Sequence, residues 1–281
     1  MLMTSIDRLA TVHLFHRARR VAAPRRPGIP ILMYHSISED QLTDSHPYYG
    51  ITTSPQIFAG QMRFLHESGY QVLGLLEAVS RLEAGRVSPK TVVLTFDDGY
   101  DDFYTNAYSV MSRHSFSATV FLSTDYVGDD SRIFNNKRCL TWSQVRELHR
   151  AGVAFGSHTV THRQLRSIGP EELIYELQHS KETLEDRLGC SIESFCYPYA
   201  FPERDVRFKC GLRSQLREFG YRHGVCTSLG VAREGDDRFF LKRLPVNSRD
   251  DSQFLQAKLE GGYDWLHAVQ SMAKFMKSNF R

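Results

Sequence analysis

The stretch TVVLTFDDG, residues 91–99, places a run of strand-forming residues directly before two adjacent aspartates and a glycine. A short apolar run rich in β-branched side chains predicts a buried β-strand, and Asp-Gly predicts the turn that ends it. Burying neighbouring carboxylates is costly without a cation or strong hydrogen bonds. Asp97 and Asp98 therefore mark the end of this strand as the first candidate site.

Apolar runs and amphipathic segments alternate on both sides of this strand. The other predicted strands are ILMYHS (31–36), YQVLGL (70–75), SATVFLS (117–123), VAFGSH (153–158), IESFCYPY (192–199), RHGVCTS (222–228) and RFFLKRLPV (238–246). The predicted helices span 53–70, 75–84, 101–113, 141–152, 170–188, 211–219, 251–260 and 264–278. Alternation of this kind, with strands apolar on both sides, predicts an α/β fold of parallel strands covered by helices. A barrel of such units suits about 250 residues.

No linker, internal repeat or low-complexity tract interrupts the series, which predicts a single domain. Within it we expect a basic N-terminal extension over 1–29, the barrel over 30–248, and C-terminal helices packed on the barrel over 249–281.

Composition narrows the class of protein. The 281 residues are 41% hydrophobic, enough for a sizeable core, and 35 basic against 32 acidic residues give a net charge of +3. This balance does not indicate a nucleic-acid partner. Five cysteines without a CxxC pair argue against a disulfide framework and a zinc ribbon, and they favour a reducing compartment.

The N-terminal segment has no signal-peptide core, and no apolar run approaches the roughly 20 residues that span a bilayer. We therefore expect a cytoplasmic protein. Apolar residues at helical spacing over 6–14 precede the arginines at 17, 19, 20, 25 and 26. This pattern predicts a helix docked on its own protein, with a membrane-surface helix at the inner membrane face as the alternative.

Chemically suggestive residues recur at the ends of the predicted strands, where parallel α/β folds build their active sites. They are His35, the Asp97–Asp98 pair, His158 and Pro198–Tyr199.

The motif SHTVTH adds His162, four residues after His158. Two histidines with one aspartate form a set that suits Zn²⁺, Fe²⁺, Co²⁺ or Mn²⁺ better than Ca²⁺ or Mg²⁺. One carboxylate would bind the ion, and the other would accept a proton from the attacking water. The alternative is a strand-to-helix turn whose aspartates cap the next helix.

These motifs resemble a known family. TFDDG, HTVTH about 60 residues later, and a strand that ends in PY are similar to the polysaccharide deacetylases, the NodB-homology domain of carbohydrate esterase family 4. The resemblance runs from about Ile31 to about Val246, and PILMYHSI and FCYPYAFP look most like the poly-N-acetylglucosamine deacetylase branch. It implies a distorted (β/α)₇ barrel and a metal-dependent hydrolase that removes N-acetyl groups from amino sugars.

By this resemblance, Asp97 would be the catalytic base and Asp98, His158 and His162 the ligands of one divalent ion. Zn²⁺ is the favoured ion, with Co²⁺, Mn²⁺, Fe²⁺ or Ni²⁺ as alternatives. The backbone N–H of Tyr199 would help to hold the oxyanion.

Two departures from the family's pattern matter. Cys196 stands where the third motif usually carries the arginine that orients the base, and Arg243 is a candidate substitute from a neighbouring strand. The alternative is an arginine that extends outward to solvent. The fifth motif lacks its histidine, so His35 becomes the candidate general acid; Asp97 could instead return its own proton, or His35 could be a buried structural residue.

We assign the substrate side of the site to Tyr34, Pro198 and Arg243, where the aromatic face of Tyr34 could stack on a sugar ring. The expected partner is an N-acetylated glycan or glycolipid. Two alternatives stay open: an amidase for cyclic amides or other small molecules on the same barrel, and a non-catalytic carbohydrate-binding module.

Overall fold

A computed structural model describes residues 6–15, 27–40 and 52–267 of the chain. Its sheet contains eight parallel strands: β1 (Ile31–Tyr34), β2 (Gln71–Leu73), β3 (Thr91–Phe96), β4 (Thr119–Leu122), β5 (Ala154–Ser157), β6 (Ser194–Cys196), β7 (His223–Leu229) and β8 (Leu241–Pro245). Seven of them close a ring in the order β1–β8–β7–β6–β5–β4–β3 and back to β1. β2 pairs with the first half of β3, and β4 with its second half. The predicted α/β barrel of parallel strands is confirmed.

Helices connect the strands and cover the outside of the ring. They are α1 (Pro55–Glu67), α2 (Leu75–Glu83), α3 (the π-helical Phe103–Ala107 continued by Tyr108–Ser112), α4 (Trp142–Arg150), α5 (Pro170–Leu188), α6 (Val206–Glu218) and α7 (Ser252–Leu259). Ser54 caps α1, and Thr141 forms a capping box with Gln144 at the start of α4. α6 begins five residues before its predicted start, because the carboxylate of Asp205 accepts the Phe208 N–H and caps the helix there.

Short elements extend this frame. In the ranges that the structure describes, three two-stranded pairs lie outside the barrel: Gly28–Ile29 with Ala232–Arg233, Ser36–Ile37 with Thr52–Thr53, and Ile133–Phe134 with Lys137–Arg138. Single 3₁₀ turns occur at Thr124–Tyr126 and Leu165–Ser167.

Side chains along each strand alternate between the barrel interior and the outer layer, as a β-strand requires. The interior is filled by one residue from each of several strands, namely Ile31, Val93, Phe121, Cys196, Val225 and Leu241. Leu94 and Phe96 of β3 point the other way, into the layer beneath the helices. A larger residue does not fit at Gly156, because a Cβ there would lie 2.5 Å from the Phe121 ring.

The N-terminal helix Ile6–Leu9, continued by the π-helical Ala10–Phe15, packs near α7. Trp265 donates a hydrogen bond to the hydroxyl of Thr11, Arg8 pairs with Asp251, and Val12 is buried. The described part of this segment therefore packs on its own protein. The basic residues 17–26 and most of the predicted helix 264–278 lie outside the described residues. Across the described ranges, no helix has the length and apolar character needed to cross a membrane.

Candidate active site

The structure brings the strand-end residues of the sequence analysis together at one end of the barrel. Asp97 and Asp98 follow β3, His158 follows β5, and Tyr199 follows β6. Asp98 adopts a left-handed backbone with φ of 71°, and Gly99 continues it with φ of 64°. A Cβ on Gly99 would lie 2.4 Å from the Leu122 side chain, so only glycine fits the turn that presents the two carboxylates.

Asp98, His158 and His162 form a compact cluster. Oδ1 of Asp98 lies 3.5 Å from Nε2 of His158 and 3.3 Å from Nε2 of His162. The carboxylate is buried, and among the described residues its Oδ1 has no hydrogen-bond partner. Burial raises the pKa of Asp98, but the imidazoles of His158 and His162 lower it by more, so the pKa lies well below its usual range.

This cluster fits a divalent ion. Two ligand atoms that lie about 2.1 Å from one tetrahedral ion are about 3.4 Å apart, close to the spacing found here. A buried carboxylate oxygen without a hydrogen bond is the atom that such an ion would satisfy. A second cluster, Asp97 with His158 and Cys196, fits less well because both oxygens of Asp97 already accept hydrogen bonds from Arg243.

The orientation of the His158 ring is fixed by its Nδ1, the ring nitrogen on the side away from Asp98. Nδ1 lies 2.8 Å from the backbone oxygen of Cys196, which can only accept, so Nδ1 carries a proton and Nε2 is the nitrogen that faces Asp98. This carbonyl–histidine arrangement is the usual support of a metal ligand. Cys196 thus contributes to the site through its backbone.

The loop from His158 to His162 has an unusual backbone. Thr159 and His162 lie in the left-handed region, with φ of 70° and 56°, and a β-branched residue such as Thr159 rarely adopts it. The hydroxyl of Thr159 accepts the His162 N–H at 3.0 Å. The carboxylate of Glu176 on α5 accepts the N–H groups of Val160 and Thr161. Sequence reasoning missed Glu176, because it looks like the other acidic residues of an amphipathic helix.

Arg243 reaches Asp97 from β8. Its Nη1 and Nη2 donate to Oδ1 and Oδ2 of Asp97, each at 2.7 Å, and its Nε donates to the Cys226 carbonyl at 3.1 Å. The side chain is 1% exposed, so it does not extend outward to solvent. Burial raises the pKa of Asp97, but the Arg243 guanidinium lowers it by more, and the carboxyl is held below its ordinary pKa.

His35 follows β1 at the same end of the barrel. Its Nε2 lies 3.9 Å from Oδ2 of Asp97, and its side chain is 19% exposed. Burial lowers the pKa of His35 more than Asp97 raises it, so the imidazole is neutral at neutral pH. The imidazole therefore lies beside Asp97, just beyond hydrogen-bond distance, and part of it reaches solvent.

Pro198 and Tyr199 follow β6, next to His162. Tyr199 has φ of 58° and is 52% exposed, and the centroid of its ring lies 4.6 Å from that of the His162 ring. Within the described part of the chain, no acceptor takes its backbone N–H, which suits an oxyanion donor. Pro198 is buried and shapes the turn that presents Tyr199.

Two expectations about the substrate side are wrong. Tyr34 is fully buried: it stacks on Phe96 at 5.2 Å between ring centroids, and its hydroxyl donates to Gln61. It belongs to the outward row of β1, so it cannot contact a sugar. Arg243 does not contact substrate either, because its guanidinium is enclosed by Asp97, Thr95 and Cys196.

Comparisons with known proteins agree with this geometry. Residues 84–223 match the family model described as polysaccharide deacetylase. The Bacillus subtilis (strain 168) protein YxkH, whose name places it among the polysaccharide deacetylases, is 30% identical over 220 residues, which cover 78% of this chain and 71% of that protein. A poly-beta-1,6-N-acetyl-D-glucosamine N-deacetylase of Staphylococcus aureus (strain MRSA252) is 24% identical over 250 residues, 83% of each chain.

Among solved structures, the Streptococcus pyogenes deacetylase PplD in complex with acetate superimposes with a TM-score of 0.71 and 25% identity. The match covers 84% of this chain and 99% of that one.

Proposed function

Since the chain belongs to the polysaccharide deacetylase family, we propose that it is a hydrolase that removes N-acetyl groups from an amino-sugar polymer. The observation that carries the proposal is that two adjacent carboxylates have different surroundings. Asp98 lies against two histidines in a geometry that fits an ion, whereas Asp97 is oriented by Arg243 and left available to a water molecule.

Asp98, His158 and His162 would hold one divalent ion, and the nitrogen-rich ligand set favours Zn²⁺. Such an ion supplies Lewis acidity, which polarises the acetyl carbonyl and makes water more acidic.

Asp97 is the proposed general base. Its carboxylate is ionised at neutral pH, and each oxygen keeps a lone pair after accepting from Arg243, so it can take a proton from the attacking water. Arg243 fixes the plane of the carboxylate from inside the barrel. It therefore supplies the orientation that an arginine in place of Cys196 would give in the family's usual motif.

His35 is the proposed proton donor to the leaving amine. It is neutral before the reaction, so it must first take up the proton that Asp97 has accepted from the attacking water. Nε2 of His35 is 3.9 Å from Oδ2 of Asp97, so the transfer needs one bridging water or a small movement of the imidazole. The backbone N–H of Tyr199 is the proposed hydrogen-bond donor to the oxygen that becomes negative when water adds to the carbonyl.

The name of the Staphylococcus aureus relative supports a β-1,6-linked N-acetylglucosamine polymer as the substrate. A precursor of such a polymer, for example a glycolipid, is the alternative. We also propose a cytoplasmic location with a peripheral membrane contact through the N-terminus. The exposed Leu9 and Leu14 support that contact, whereas the packing of Thr11 and Val12 limits it to the outer face of the helix.

The test is acetate release by the purified full chain, first stripped with a chelator and then reloaded with Zn²⁺, Co²⁺ or Mn²⁺. The substrates are β-1,6-linked and β-1,4-linked N-acetylglucosamine oligomers and a cyclic amide such as a hydantoin. We expect acetate from an oligomer only after reloading, with the β-1,6 linkage preferred. Turnover of the cyclic amide alone would contradict the proposal.

A further inference from the structure

One buried carboxylate holds the loop that carries both histidines of the site. Oε2 of Glu176 accepts the backbone N–H groups of Val160 at 2.8 Å and Thr161 at 2.9 Å, and Oε1 accepts the hydroxyl of Thr161. Glu176 is 1% exposed. All three donors belong to the segment between His158 and His162, so a single side chain of α5 spans the gap between the two candidate ligands.

Such a carboxylate is costly to bury unless its oxygens accept strong hydrogen bonds. Bonds from N–H and O–H groups to an ionised acceptor are roughly twice as strong as those between neutral groups. Two adjacent backbone N–H groups that share one oxygen also fix the orientation of the peptide units that contain them. Glu176 therefore determines both the position and the rotation of the loop relative to α5.

The backbone of the loop needs this support. Thr159 and His162 both have positive φ, and strained residues of this kind persist only where the surroundings hold them. The N–H of Thr124 donates to the Thr159 carbonyl, and the N–H of Asp125 donates to the Val160 carbonyl, from the segment after β4. Those contacts hold one side of the loop, and Glu176 holds the other.

The distances between the candidate ligand atoms depend on the hydrogen bonds that hold this loop in place. Nε2 of His162 lies 3.3 Å from Oδ1 of Asp98, and a displacement of the loop by about 1 Å is enough to spoil a site of this kind. We propose that Glu176 is a positioning residue which sets the affinity of the Asp98–His158–His162 cluster for a divalent ion. This inference rests on the proposed function, because it assumes that the cluster binds an ion.

The experiment measures the dissociation constant of the full chain for Zn²⁺ by competition with a chromophoric chelator, and the visible absorption of the Co²⁺ form. Glu176→Ala is expected to weaken Zn²⁺ binding by about 10- to 100-fold, the usual effect of losing a group that supports metal ligands. Glu176→Gln keeps an oxygen for the two N–H groups, so its affinity should stay within about threefold of the wild type. Glu176→Asp keeps the carboxylate but its shorter side chain should not reach the loop. It takes the place of Glu176→Ala if the alanine variant does not fold.

The matched control is Leu177→Ala, the next residue of α5, whose side chain is fully buried in the hydrophobic core and is not one of the groups that bond to the loop. It should lower the melting temperature and leave the Zn²⁺ affinity and the Co²⁺ spectrum unchanged. The inference is overturned if Glu176→Ala, or Glu176→Asp in its place, binds Zn²⁺ as tightly as the wild type, or if Leu177→Ala loses affinity to the same extent. A wild-type chain that binds no ion would instead overturn the metal site of the proposed function.

Discussion

Arg243 donates two hydrogen bonds of 2.7 Å to the two carboxylate oxygens of Asp97, from a strand on the other side of β1. The thiol of Cys196 lies 3.2 Å from the same guanidinium. An arginine at position 196 would therefore compete with Arg243 for this space, whereas the small thiol leaves room for it. The orienting charge of the proposed base thus comes from β8 and not from β6.

Arg243→Lys is expected to lower kcat for acetate release by about 10²-fold, because an ammonium group keeps the charge but cannot hold both oxygens of Asp97. Zn²⁺ affinity should change little, since Arg243 touches none of the three proposed ligands. Steady-state kinetics and chelator competition measure the two effects. Arg238→Lys, at a partly exposed arginine paired with Glu83, is the control. A wild-type kcat in Arg243→Lys would refute the orienting role.

His35→Gln should separate amide from ester hydrolysis. The amine must be protonated before it can leave the tetrahedral carbon, because its anion is a poor leaving group. Loss of the proton donor is therefore expected to slow acetate release from an N-acetyl sugar by about 10²- to 10⁴-fold. An aryl acetate has a leaving group that needs no proton, so its hydrolysis should change little. His179→Gln, on the surface of α5, is the control. Equal losses on both substrates would argue against the proton-donor role.

Tyr199→Leu tests whether the side chain of this residue contacts the glycan. Because the backbone N–H is retained, we expect kcat to stay near the wild-type value. KM for an oligomer should rise by about two- to tenfold, as the loss of an exposed aromatic contact implies. Tyr175→Leu, an equally exposed tyrosine on α5, should leave both constants unchanged. A fall in kcat at constant KM would point to a different role for the ring.

Much of this arrangement follows from sequence pattern. Apolar runs alternating with amphipathic helices predict the parallel barrel, and the topology then brings every strand end to one rim. This is why Asp97, Asp98, His158 and His162 could be predicted as one cluster from separate motifs. The pairing of Arg243 with Asp97 was predicted only as one of two alternatives, because the sequence does not show which way a side chain of a buried strand points.

The same ambiguity explains the error at Tyr34. Strands that are buried on both faces carry no polar alternation, so the pattern cannot tell the inward row from the outward row. Tyr34 points outward to Phe58 and Phe96, and His35 is the next residue along the chain. Glu176 was missed for a related reason: the buried face of α5 depends on the loop that packs against it, which no periodicity describes.

A stability prediction concerns His223 at the opposite end of the barrel. Burial lowers the pKa of His223 to about 4, and its Nε2 pairs with the Ser194 hydroxyl at 2.7 Å. As pH falls below about 6.5, the unfolded chain takes up a proton on this histidine while the folded chain does not. The contribution of neutral His223 to the free energy of unfolding is therefore fully present above about pH 6.5 and is lost as pH falls toward 4. Between pH 7.5 and 5.5, the free energy of unfolding should fall by about 1 kcal/mol more in the wild type than in His223→Gln. Urea denaturation at both pH values measures this, and identical losses would contradict it.

The most direct test of the account compares Asp97→Asn with Asp98→Asn, with acetate release and Zn²⁺ affinity measured on the same preparations. We predict that Asp97→Asn binds Zn²⁺ about as tightly as the wild type and loses at least about 10²-fold in kcat, because only the base is gone. Asp98→Asn should lose both Zn²⁺ affinity and activity. Acetate release at the wild-type rate by Asp97→Asn, or loss of Zn²⁺ in that variant alone, would contradict the assignment of base and ligand to these two adjacent carboxylates.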